Sequence, residues 1–146
     1  MYSKLIIGVA VLALAACAPV VPLQRDQTAA FSKGATPSQV SGSLGKATLT
    51  VAHEFDSKGN HFLANHYDLQ TGTRQQMSMV CTPTCIPYPV YVPVTAPYVM
   101  VYEGADRHLL AWGMLEELSR SPDDSVSSIM PDLKASYERE LAKQKK

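Results

Sequence analysis

Several groups of residues have the types and spacing from which chemistry could be built. Four residues separate His61 from His66 and three separate Cys81 from Cys85, both spacings found among zinc ligands. Met77, Met79 and Cys81 recur at every second position, as soft ligands for Cu(I) would. Gly42-Ser43-Leu44-Gly45-Lys46-Ala47 ends like a phosphate loop. Each meets a physical objection. Residues five apart on a strand point to opposite faces, so His61 and His66 cannot both turn to one metal. A strand that buries one face produces the Met77, Met79, Cys81 pattern equally well, and these residues are read as core-facing. Val40 stands where a phosphate loop needs its first glycine, and Ala47 replaces the hydroxyl that holds Mg²⁺. There is no Gly-x-Ser-x-Gly elbow, and His53, His61, His66 and His108 fall on predicted strands or turn edges without singling out a triad. These residues point to a protein that is not an enzyme and holds no metal or cofactor.

A different chemistry is written at the N-terminus. Lys4 precedes an unbroken aliphatic and small-residue run over residues 5–16, the layout of an export signal. Twelve residues are too few to cross a bilayer as a helix, which takes about 20. Leu14-Ala15-Ala16-Cys17 resembles the lipobox of bacterial lipoproteins. The resemblance implies cleavage before Cys17, lipidation of its thiol, and a mature chain that begins there. Two or three acyl chains hold a protein to a membrane permanently, where one alone binds marginally. Ala18 follows the cysteine instead of Asp, which by resemblance to enterobacterial sorting implies the outer membrane, with the domain facing the periplasm.

An export route also sets the redox state. With Cys17 lipidated, Cys81 and Cys85 remain as a pair, and outside the inner membrane a disulfide is their default. A disulfide needs Cα atoms within about 7 Å, whereas four steps along a strand cover about 13 Å. The chain must therefore fold back at Thr82-Pro83-Thr84. Five of the ten prolines then fall between residues 83 and 97. That density excludes a central strand and favours an extended, polyproline-like path. Tyr88 and Tyr91 supply aromatic surface on this stiff frame, and they are the candidate partner contacts. The competing reading is that Val90, Val92 and Val94 cover an edge of the chain's own sheet.

The elements that position these residues follow from periodicity. Thr36-Pro37-Ser38-Gln39 carries an N-cap, a proline at the first helical position and a capping-box glutamine, and Gly45 ends a helix of about two turns. Leu49, Val51, His53 and Phe55 alternate with polar neighbours as a half-buried strand does. Residues 56–60 form a turn, residues 62–69 return, residues 71–73 turn again, and residues 75–81 make a third strand. Residues 98–102 and 108–113 form a second hairpin. Leu133, Tyr137 and Leu141 mark a last helix whose single apolar row predicts peripheral packing.

Phe31-x-x-Gly34-x-Thr36-x-x-Gln39-Val40-x-x-x-Leu44-Gly45 resembles the opening motif of the SmpA/OmlA (BamE-like) family of small outer-membrane lipoproteins. Ala47 stands where that family usually has Pro, and His66-Tyr67-Asp68-Leu69 lacks its usual Trp. The closing hairpin of the family is similar to Val101-Tyr102-Glu103-Gly104 followed by Leu109-Leu110-Ala111-Trp112. The resemblance covers residues 28–113. It implies an α+β fold with two short N-terminal helices packed on an antiparallel β-meander, as also in β-lactamase-inhibitor-like proteins, followed by a C-terminal helix. It further implies association with the machinery that inserts barrel proteins in the outer membrane.

Composition is consistent with one small domain. The chain has 146 residues, thirteen Lys+Arg and thirteen Asp+Glu; loss of residues 1–16 removes only Lys4, leaving twelve against thirteen. A nucleic-acid binder would show a basic surplus, so that class is excluded. The expected organisation is a signal at 1–16, a lipid-anchored tether at 17–28, a domain at 29–121 with a Cys/Pro/Tyr-rich insertion at 82–97, and a peripheral helix at 122–146. The expected function is a scaffold or accessory factor in envelope or outer-membrane protein assembly. A lipid-anchored binding or inhibitor module is the alternative, and a metal-handling or redox protein built on Cys81 and Cys85 the third.

Overall fold

The computed structural model describes residues 19–146. Four antiparallel strands in sequence order make one sheet: β1 (Val51–Ser57), β2 (Asn60–Cys81), β3 (Cys85–Glu103) and β4 (His108–Met114). Lys58 and Gly59 turn β1 into β2 with φ of 51° and 80°, the left-handed geometry that a two-residue hairpin turn requires. β1 alternates buried and exposed residues throughout, and Val51, His53, Phe55 and Ser57 face inward.

Both faces of the four-stranded part of the sheet are covered. On one, Tyr67, Leu69, Tyr98, Met100, Tyr102 and Leu109 pack under Leu23, Phe31 and Val40 of the N-terminal segment. On the other, Phe55, Phe62, Ala64, Val99 and Val101 pack under Ile129, Met130 and Leu133 of the C-terminal region. Val99, Met100 and Val101 are fully buried because residues 98–103 of β3 run between β2 and β4.

This architecture overturns the expected fold class. A layer of two N-terminal helices is not formed. What stands in its place is a single turn, α1 (Arg25–Thr28), and the two-turn α2 (Pro37–Leu44), while extended chain through Leu23 and Phe31 covers much of that face. The capping logic at α2 does hold, with the Thr36 N–H donating to Gln39 Oε1 at 2.9 Å. Capping patterns specify where a helix starts, but not how much of a sheet it covers. The sheet itself dominates the molecule. Leu23, inside the segment expected as tether, is fully buried and pairs with the β2 edge: its N–H donates to the Asp68 carbonyl at 2.7 Å, and its own carbonyl accepts from Gln70 N–H at 2.8 Å.

Two further expectations are corrected. The helix expected to be peripheral is α5 (Met130–Gln144), which follows the short α3 (Leu115–Ser119) and α4 (Asp124–Ser127) and carries the fully buried Leu133. Counting one apolar row on the helix missed the contribution of Ile129, just before it, and of Met130 at its start to the same core. The turn expected at residues 71–73 is a bulge between Gln70 and Gly72 within one 22-residue strand. A Thr-Gly-Thr cluster reads as a turn by composition, but one extra residue in a ladder has the same composition.

Candidate functional site

Beyond this bulge, β2 and β3 leave the body of the sheet and pair only with each other. Ten register pairs run from Gly72↔Val94 to Cys81↔Cys85. At about 3.3 Å per residue this two-stranded arm reaches roughly 30 Å from the core. Residues 71–96 contain one charged side chain, Arg74. Met77, Met79, Val80, Ile86, Tyr88, Tyr91 and Val94 are all exposed along it.

The proline-rich segment is therefore a strand, contrary to the polyproline-like path expected of it. The reason lies in the spacing of its prolines. Pro87, Pro89, Pro93 and Pro97 all occupy odd positions, so their missing N–H groups fall on the same edge of β3. Pro has no donor for the ladder and is confined to free edges. Met79↔Pro87, Met77↔Pro89 and Thr73↔Pro93 are consequently non-hydrogen-bonded pairs, and β3 bonds to β2 through its even positions. Where β3 becomes central, at residues 98–103, the prolines stop.

Cys81 and Cys85 are directly opposed, with Cα atoms 3.9 Å apart, and form a disulfide. The fold-back at residues 82–84 is as expected from their separation. The bond clamps the tip of a ribbon that, as two strands in water, is marginal by itself. Tyr88 and Tyr91 both lie on the arm but are not brought together. Residues three apart on a strand face opposite ways, so Tyr91 shares a face with Met77, Met79, Pro87 and Pro89, and Tyr88 shares the other with Val80, Ile86 and Val90. Met77 and Met79 are 58% and 59% exposed, which corrects their reading as core. Alternation identifies a face, but nothing in the sequence says that the face is covered. An open cleft of about 730 Å³ lies at the arm's base, between Thr95–Pro97 of β3 and Met114, Leu115 and Arg120.

A second constellation lies on the α5 side of the sheet. His53 of β1 and His66 of β2 are both buried, with their Nε2 atoms 2.9 Å apart. His53 Nδ1 lies 3.0 Å from Ser136 Oγ of α5, and Tyr137 stacks on His66 with ring centroids 4.0 Å apart. Desolvation lowers the pKa of both imidazoles; His66 is pushed down to about 3, helped by the neighbouring His53. Glu140 draws His53 upward and Arg139 downward, but burial prevails. Both rings are thus neutral near pH 7. Of the two possible tautomer arrangements, one leaves a buried N–H at His66 Nδ1 without an acceptor. The other, in which His66 Nε2–H donates to His53 Nε2 and His53 Nδ1–H donates to Ser136 Oγ, leaves only a lone pair there. The second costs less and is the arrangement assigned.

The cluster contains a hydroxyl beside an imidazole, but Ser136 is buried and none of the described clefts reaches it. Its geometry ties α5 to the sheet. Sequence reasoning placed His53 on a buried strand face but did not single out Ser136. The available signal was a polar residue inside an apolar face: His53 between Val51 and Phe55, and Ser136 beside Leu133 and Tyr137. His61 behaves differently. It is exposed, lies 2.6 Å from Asp56 Oδ1, and its pKa is raised by that hydrogen bond.

Cys17 and its lipobox lie outside the described residues. Among the described residues no helix is long and apolar enough to cross a membrane. No family model, curated protein or solved structure matches the chain.

Proposed function

We propose that the chain is a non-enzymatic lipoprotein, anchored to the outer membrane through Cys17 and facing the periplasm, which presents the β2–β3 arm to protein partners as a scaffold or accessory factor in envelope assembly. The observation that carries this reading is the arm itself. A ribbon of about 30 Å with a single charge and apolar side chains exposed on both faces stabilises nothing in its own domain. Proteins do not keep such a surface free of cost, since it invites aggregation unless something covers it. Four exposed apolar or aromatic side chains on β3, Ile86, Tyr88, Tyr91 and Val94, sit on a backbone stiffened by prolines, so ordering them against a partner loses little entropy.

The lipobox supplies the anchor in this reading, and the resemblance at residues 28–113 adds no support from the fold, which differs from the one it implied. An inhibitor module would use the Tyr/Pro segment together with an open sheet face. Among the described residues both faces of the sheet body are covered, which favours the arm over a sheet face as the contact surface in either reading. Crosslinking in cells from a photoreactive residue at Tyr88 or Tyr91 separates the two readings by what is captured. Envelope-assembly components, including those that insert barrel proteins, support the scaffold; a single soluble enzyme supports the inhibitor. No adduct from either position contradicts both.

A further inference from the structure

The two edges of the arm are not equivalent. On the β3 edge, Pro87, Pro89 and Pro93 remove the outward donors, leaving Tyr91 as the outward N–H between residues 87 and 93. Because the proline-containing pairs are the non-hydrogen-bonded ones, the N–H and C=O groups of Thr73, Gln75, Met77 and Met79 point away from β3, along the β2 edge. This edge has no proline and no charge at those four positions. The chain's own N-terminal segment occupies the β2 edge only at Asp68 and Gln70, through Leu23, and then turns away into α1. No backbone partner meets residues 73–79 on that side among the described residues.

We propose that the Thr73–Met79 edge of β2 pairs antiparallel with the same edge of a second copy of this chain, making a four-stranded β3-β2-β2′-β3′ sheet. A lipid surface cannot be the occupant, because it offers nothing to the unpaired backbone groups. A strand can, and this strand is self-complementary. With the two-fold axis at Gln76, Thr73 meets Met79 of the other copy, and Gln75 meets its Met77. All four outward positions are then used, in about eight backbone hydrogen bonds. Arg74, the arm's one charge, falls opposite Ser78 of the other copy, so no like charges meet. Gln76 pairs with its own equivalent. The pairing also lifts the ribbon from two strands to four, past the number at which a sheet holds together without other support. The blocked β3 edge stops the assembly at two copies, since each dimer ends in prolines on both sides.

This inference rests on the arm being a contact surface, but not on the anchor or on the tyrosines. Sedimentation of the purified full chain is expected to give twice the monomer mass, and Gln75→Pro with Met77→Pro to return it to the monomer with an unchanged circular dichroism spectrum. Those prolines replace outward N–H groups, as on β3, and leave the pairing within the arm intact. A Gln76→Cys chain treated with oxidant is expected to form a covalent dimer, and Arg74→Cys is not. A wild-type monomer, a dimer that survives the proline pair, or the absence of a crosslink at residue 76 would each overturn the proposal. Tyr88→Ser with Tyr91→Ser should keep the dimer mass while losing other partners, so the failure of one reading is distinguishable from that of the other.

Discussion

Folding encloses two imidazoles, His53 and His66, against α5, with the Ser136 hydroxyl and the Tyr137 ring as their neighbours from that helix. Both are held neutral by burial, whereas in the unfolded chain they protonate near 6.5. Between 6.5 and about 3 the unfolded state therefore binds the proton that folded His66 refuses, and stability falls as pH falls through that window. Two pH units below 6.5, the proton that folded His66 refuses corresponds to a loss on the order of 3 kcal/mol. Denaturant melts at pH 7 and pH 4.5 should show a loss of this order, and His66→Phe, which keeps a ring under Tyr137, should make the difference smaller. An equal acid loss in that variant would place the sensitivity elsewhere. At the same scale, Tyr88→Ser and Tyr91→Ser should each change stability by less than about 0.5 kcal/mol, because both side chains are exposed. The histidine pairing was not legible in the sequence. Its third member, Ser136, lies 83 residues from His53, and periodicity reports which face a residue takes, but not what meets it.

The arm and α5 are the elements whose stability can be separated. Closing so small a ring through Cys81 and Cys85 contributes roughly 2 kcal/mol by the chain-entropy formula. That energy acts on the arm, since the ten pairs beyond the bulge are continuous with the disulfide and not with either core. Cys81→Ser with Cys85→Ser should speed amide exchange over residues 72–94 and leave Val99–Val101 protected. Uniformly faster exchange would show that the arm and core unfold together. Leu133 is fully buried in the α5 core, so Leu133→Ala should cost about 2–5 kcal/mol in a thermal or denaturant melt. A peripheral helix would cost almost nothing. The elements themselves were largely legible: the Thr36 cap, the β1 alternation, the fold-back at Thr82-Pro83-Thr84 and the hairpin at residues 103–107 are all found. Continuity was not. Two strands of 22 and 19 residues read as several shorter pieces, because Gly72 and the prolines resemble breakers until their places at a bulge and on a free edge are known.

At the scale of the whole molecule, the described residues form a body covered on both sheet faces and a long projection with exposed apolar side chains. The sequence showed the amount of apolar residue but not its distribution, and Met77 and Met79, whose alternation suggested core, lie instead on the projection. In the proposed reading Cys17 carries the lipid anchor, and Cys17→Ala should then move the protein from the membrane to the soluble fraction; retention in the membrane would rule out the lipid as anchor. The most direct test is crosslinking in intact cells from a photoreactive residue at Tyr91, which is 71% exposed on the arm, beside the same residue at Lys58 in the β1–β2 turn. Adducts of defined mass from position 91 and none from position 58 are expected. Equal adducts from both positions, or none from position 91, would contradict the arm as the contact surface.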